Sequence, residues 1–285
     1  MGFIESWKKG WSFMKAAFAM ARDNRKLLAP SVYQVLVSIV YWVGWIAVLI
    51  AIDPEWSNGM WAVVGGIATF GSFLIFYFFC GMTVNMIDVH LKGGKPSVGD
   101  GARDAGKNFV AIVFLALVST VIEMFARAAR DNDSIVGKII AGIVEAIWTT
   151  LAFLLLPAII IEDAGFGAAM KRVRALHKGK LLLIGIGEVG VRAVTALIGF
   201  VWMLLIVGVV YGLASVFSGM TAVMLIIIIG GTMLSLLMAF STYLRMAYYT
   251  CLYLWAADVE KQGQSAPAPL PLAIALGHKE SRRAA

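Results

Sequence analysis

Six long apolar runs, at residues 27–52, 60–87, 109–122, 135–161, 181–215 and 221–257, dominate the chain. A membrane-crossing helix needs about 20 predominantly apolar residues to traverse about 30 Å of hydrocarbon, where every backbone N–H and C=O must be satisfied inside the helix itself. All the runs but the third reach that length. The third, about 14 residues or about 21 Å, falls short on its own, with Glu123 and Arg127 following it. Composition closes off the alternative of a soluble globule. Of 285 residues, 60% are hydrophobic and 14% charged, whereas a soluble domain carries about 25% charged residues. The expected fold is therefore all-α and polytopic, with about six membrane helices arranged as three hairpins. Two arrangements stay open for the third and fourth helices: a full but polar hairpin, or a re-entrant one.

The Lys and Arg residues give an orientation. Alternate connections, counted with both termini and the basic residues near the run ends, carry 20 of them against 3 on the other side, which leaves only Arg192, deep inside a run. By the positive-inside tendency the richer side is cytoplasmic, so both termini are expected there. The net charge of +7 is spread over these connections, which favours membrane orientation over nucleic acid as its cause. Each hairpin is preceded by an amphipathic segment on the basic side. The junctions Asn24-Arg25-Lys26-Leu27-Leu28, Gly106-Lys107-Asn108-Phe109-Val110 and Lys178-Gly179-Lys180-Leu181-Leu182 suggest a threefold repeat. Residues 1–26 form the first such segment. Phe3, Trp7, Trp11, Met14 and Phe18 share one helical stripe with lysines off it, which suits the headgroup boundary, and Trp7, Trp11 and Phe18 are the expected anchors. Residues 27–257 are the transmembrane domain. Residues 258–285, with Pro267, Pro269 and Pro271, are expected to be a flexible cytoplasmic tail of extended character.

Charges inside apolar runs need partners, because each costs about 2.5–3.5 kcal/mol on insertion scales. Glu123, Arg127, Glu145, Glu188 and Arg192 form the expected intramembrane network. Glu123/Arg127 and Glu188/Arg192 stand at i, i+4. Glu145, about 13 Å from one end of its run, and Arg192, about 16 Å from the other, reach a common depth. Such a network either locks the helices or lines a polar route. Other motifs carry no chemistry. Gly185-Ile-Gly187-Glu-Val-Gly190 matches a dinucleotide fingerprint, but no acidic residue stands at the required distance and no strand–helix alternation follows. His90, His177 and His278 are isolated, without metal-ligand spacing. Cys80 and Cys251 lie in apolar runs and are expected to be packing residues. No catalytic constellation, cofactor site or metal site is expected, and the chain is not expected to be an enzyme.

Gly94-Lys-Pro-Ser-Val-Gly-Asp-Gly-Ala-Arg103, Trp148, Leu155-Leu-Pro-Ala-Ile-Ile-Ile-Glu-Asp-Ala-Gly165 and Ala168-Ala-Met-Lys-Arg172 resemble an uncharacterised family of prokaryotic membrane proteins, a domain of unknown function. Ser6-Trp7 and Asp23-Asn-Arg-Lys-Leu-Leu28 join the likeness, which covers most of residues 3–210. Val173 stands where that family usually has Ser. A looser pattern is similar to the membrane region of some glycerophosphodiester phosphodiesterases, whose soluble catalytic domain has no counterpart here. The resemblance implies a membrane fold in a prokaryotic cytoplasmic membrane and no activity. Two functions are expected to compete: a transport or pore-forming subunit for an ion or small solute, and a non-catalytic scaffold or accessory subunit that organises lipid or a larger membrane complex. The bilayer is the expected partner, together with further copies of the chain or a membrane complex.

Overall fold

The computed structural model describes residues 3–52, 55–131, 134–178, 185–263, 266–276 and 281–282, with side chains described for 7–52, 55–57, 59–131, 134–176, 195–263 and 266–275. The helices are α1 (Phe3–Asp23), α2 (Ala29–Ile52), α3 (Asn58–Leu91), α4 (Val98–Lys107), α5 (Phe109–Asp131), α6 (Ile135–Ile161), α7 (Phe166–Lys178), α8 (Gly185–Val216), α9 (Gly219–Leu225), α10 (Gly231–Gln262) and α11 (Leu270–Leu276). A 3-10 turn, Arg25–Leu28, leads into α2, and a π turn, Ile226–Gly230, joins α9 to α10. Two residue pairs, Ala268–Pro269 (β1) and Ser281–Arg282 (β2), make a short parallel pairing. Among the described residues six helices are long and apolar enough to cross a membrane, so the chain is an all-α, polytopic protein. Helix starts follow local chemistry: Ser57 accepts a hydrogen bond from the Met60 amide and Ser134 from the Gly137 amide, satisfying first-turn donors.

The chain divides into two compact units, residues 36–179 and residues 1–35 with 180–285. In the first, α3, α5 and α6 surround a core that lies toward one end of the helices. There the C-terminal half of α3 (Cys80, Met82, Val84, Met86, Ile87) meets the start of α5 (Ile112, Leu115, Ala116) and the end of α6 (Leu155, Leu156, Ile159), all buried. α3, at about 51 Å, outruns the hydrocarbon thickness and extends into this core. α4 lies on α3 and α7 on α6. α4 comes close because a Cβ on Gly101 would lie 3.2 Å from the Met82 carbonyl oxygen. α5 and α6 adjoin along their lengths. α2 instead meets α3 through Tyr41, whose hydroxyl donates to the Ala68 carbonyl at 2.9 Å and leaves no room for a side chain at Gly71.

In the second unit, α1 runs along α8, α10 and α11. Phe13 meets Tyr248 edge to face at 5.3 Å, and the buried Tyr243 hydroxyl donates to the Ala17 carbonyl at 3.0 Å.

Two expectations are corrected here. The third run does not stop at residue 122: α5 continues through Glu123 and Arg127 to Asp131, and its 23 residues qualify as a candidate span. Two neighbouring charges one turn apart neutralise each other without breaking the helix. The 258–285 segment is not wholly extended. α10 carries on to Gln262, and α11, beginning directly after Pro269, packs on α1 with Leu272 and Ala273 buried. Proline opens a helix as readily as it ends one. α1 itself buries Phe13, Ala17, Met20 and Ala21 and leaves Trp11 and Phe18 exposed, on the stripe the sequence assigns to the headgroup boundary.

Candidate functional site

The most developed polar constellation lies at the basic end of the 36–179 unit, where α4 passes into α5 and α6 into α7. Asn108 follows α4 directly and is buried. Its side-chain amide donates to Asp163 Oδ1 at 2.9 Å and to the Asp104 carbonyl at 3.2 Å. Asn85 on α3 donates to Asp104 Oδ2 at 2.9 Å. α3, α4 and the α4–α5 and α6–α7 connections thus converge through two amide side chains and two carboxylates. Asp163 holds a left-handed backbone, φ 49°, a conformation that Asp and Asn tolerate better than most residues. The following Gly165 carbonyl accepts from the Ala169 amide to start α7.

Electrostatics distinguish Asp104 from its neighbours. Burial pushes its carboxyl above the usual aspartate range, and the charges of Asp163 and Asp88 add to this. The bond from Asn85 and the charge of Lys107 oppose it. Asp88 pairs with Lys92 at 2.6 Å through Oδ2, while its buried Oδ1 has no hydrogen-bond partner. On α7, Arg172 Nε donates to both oxygens of Glu162, at 2.9 and 3.1 Å. Among the described residues no group of three or more His, Cys, Asp or Glu side chains is gathered for a metal ion.

Beside this cluster opens a groove of about 560 Å³ between the starts of α5 and α7. Lys107, Asn108 and Asp163 line its polar part; Val110, Phe114 and Phe166 line its apolar part. The Phe114 and Phe166 rings stack at 6.4 Å. Val110 is 67% exposed and Phe114 52%, although both belong to a helix apolar enough to cross a membrane. The groove therefore spans the change from polar connection to apolar helix.

The expected charge network resolves differently. Arg127 Nε donates to Glu123 at 2.8 Å, as the i, i+4 spacing implies. Glu145 meets Arg130, at 2.6 Å, across the α5–α6 hairpin, and Arg130 also reaches Glu123 at 3.4 Å. Arg130 lies beyond the apolar run that ends at residue 122, but a long guanidinium side chain reaches back along its helix. The side chains of Glu188 and Arg192 lie outside the described residues. Deeper in the hairpin, Ser119 Oγ is shared by the Tyr77 hydroxyl at 2.8 Å and the Trp148 indole N–H at 2.9 Å, so α3, α5 and α6 meet on one hydroxyl. Trp148 stood out in the sequence; Ser119 carried no signal there, since a lone serine in an apolar run is ordinary. Of the expected anchors, Trp11 and Phe18 are exposed and Trp7 is half-buried. The Lys15 ammonium lies 5.5 Å from the Trp11 ring centre, and Phe18 meets Phe240 at 6.0 Å. The glycine fingerprint opens α8 at Gly185; residues 181–184, its required strand, lie outside the described residues.

Residues 63–263 match a family of unknown function, DUF6159. No curated protein matches the chain. No solved structure matches it either. The likeness to phosphodiesterase membrane regions therefore gains no support from these comparisons.

Proposed function

The chain belongs to the DUF6159 family of unknown function, and from that membership and the geometry above we propose that it is a non-catalytic membrane scaffold that organises lipid. One observation carries this reading. Arg130 closes the charges of α5 and α6 on one another, taking Glu145 at 2.6 Å and Glu123 at 3.4 Å. Charges completed within one hairpin fasten two helices together, and no ligand is required to balance them. The shared Ser119 hydroxyl fastens the same helices to α3. Family-like motif residues also serve packing: Gly101 admits α4 against α3, and Glu162 and Arg172 tie α6 to α7. In this reading the basic end faces the cytoplasm of a prokaryotic cell, as the distribution of Lys and Arg favours.

A transport function is the second reading. Its support is that Arg127, Arg130 and Glu145 sit partly exposed on the flank of the hairpin, where a further copy of the chain would turn them into the wall of a polar route. Proteoliposomes loaded with ion- and solute-sensitive dyes separate the two. The scaffold gives no flux above empty vesicles, and Glu145→Gln lowers thermal stability alone. Flux through the wild type that Glu145→Gln abolishes while folding normally would establish transport instead.

A further inference from the structure

We infer that the groove between the starts of α5 and α7 binds the headgroup of a zwitterionic phospholipid bearing a primary ammonium group, an inference that rests on the lipid-organising function proposed above. Three features define the ligand. The groove is amphiphilic along its length: Lys107 and Asp163 at one part, Val110, Phe114 and Phe166 at the other. Val110 and Phe114 of its apolar wall belong to the first turns of a candidate membrane span, so an occupant with acyl chains lies with them in the hydrocarbon and its headgroup among the polar side chains. Its charges are balanced, with one ammonium on Lys107 and one carboxylate on Asp163.

That balance selects the headgroup. Lys107 is loosely held by its own helix, its Nζ 3.9 Å from Asp104 Oδ1 and its side chain 62% exposed, so it is free to turn toward a phosphate. Asp163 accepts from Asn108 through Oδ1, which leaves Oδ2 for a donor. A primary ammonium supplies N–H groups to that oxygen in a charge-assisted hydrogen bond. An anionic headgroup with no cation would satisfy Lys107 but face the Asp163 carboxylate, with Asp104 and Asp88 behind it. A choline headgroup has no N–H to donate, and the two phenylalanine rings that could receive it are stacked on each other.

Native mass spectrometry of the full chain, released from nanodiscs holding equal parts of phosphatidylethanolamine, phosphatidylglycerol and phosphatidylcholine, tests this. The wild type is expected to retain phosphatidylethanolamine preferentially. Asp163→Asn keeps a residue suited to φ 49° and is expected to lower that retention about tenfold relative to phosphatidylglycerol, the loss of one charge-assisted bond. Lys107→Gln lowers retention of both lipids, and Lys107→Arg restores it. Lys138→Gln, on the far end of the hairpin, changes nothing. Equal retention of the three lipids, or a preference that survives both Asp163→Asn and Lys107→Gln, would overturn the inference. Displacement by free glycerophosphoethanolamine at the lipid's own concentration would assign the groove to a soluble ligand and overturn the lipid source. Flux in proteoliposomes, by contrast, refutes the scaffold function and leaves retention to decide the groove.

Discussion

Asp104 shows how one carboxylate can be marked out by its surroundings. Its raised pKa comes first from burial, then from Asp163 and Asp88, against Asn85 and Lys107. A carboxyl whose pKa is higher folded than unfolded favours folding in its protonated form. Its favourable contribution is therefore complete below the unfolded aspartate pKa, about 3.9, and is lost as pH rises through the raised folded value. Asp104→Asn resembles the protonated form. It is expected to match the wild type at acid pH and to gain in Tm over it as pH approaches neutrality, with Tm against pH for both chains as the measurement. A second residue-scale prediction concerns Gly101. A Cβ there would stand 3.2 Å from a backbone oxygen and 3.3 Å from Met86 Cγ, so Gly101→Val is expected to cost about 1–3 kcal/mol by overpacking, read as a lower Tm. The sequence places Asp100 and Gly101 in one motif with Asp104 directly after it, but it does not say which carboxylate turns inward. That is decided by Asn85, 19 residues away, and pairings at that range leave no local trace.

At the scale of elements, the spans were legible because lipid demands length and apolarity, and both are local properties. The limit of the third span was not. Residues 123–131 are charged, yet Glu, Met, Ala and Arg are good helix formers, and Glu123 is paired to both Arg127 and Arg130. Hydropathy records the cost of each charge and misses the neutralisation. The same blindness hid the partner of Glu145. Arg130→Gln or Glu145→Gln alone leaves a charge without its bridge in an apolar hairpin, and each is expected to destabilise it by up to about 2.5–3.5 kcal/mol. Exchanging the pair, Arg130→Glu with Glu145→Arg, is expected to recover most of that loss. Thermal unfolding in a fixed detergent provides the readout for the set, and a double variant no better than the singles would show that the 2.6 Å contact contributes little.

The whole molecule departs most from its linear order. One compact unit is a continuous stretch, 36–179, while the other joins residues 1–35 to 180–285. Hydrophobic periodicity along the chain gave helices and their order but not this pairing, since Phe13 and Tyr248 are brought together only by the fold. For the same reason, the prolines of the tail suggested an extended end, whereas Leu272 and Ala273 find burial on packing with α1. Two units with separate cores are expected to respond separately to damage. Phe13 is 1% exposed, and Phe13→Ala in the discontinuous unit is expected to cost about 3–5 kcal/mol. Gly101→Val acts in the continuous unit. Substitutions that share no neighbours add within about 0.5 kcal/mol, so the double variant is expected to lose the sum of the two. Differential scanning calorimetry should show Phe13→Ala moving one component of the unfolding profile and Gly101→Val the other. A single transition that both variants shift equally would mean that the chain unfolds as one body, with the continuous α2 helix, which passes from one unit to the other at Val35, transmitting the loss.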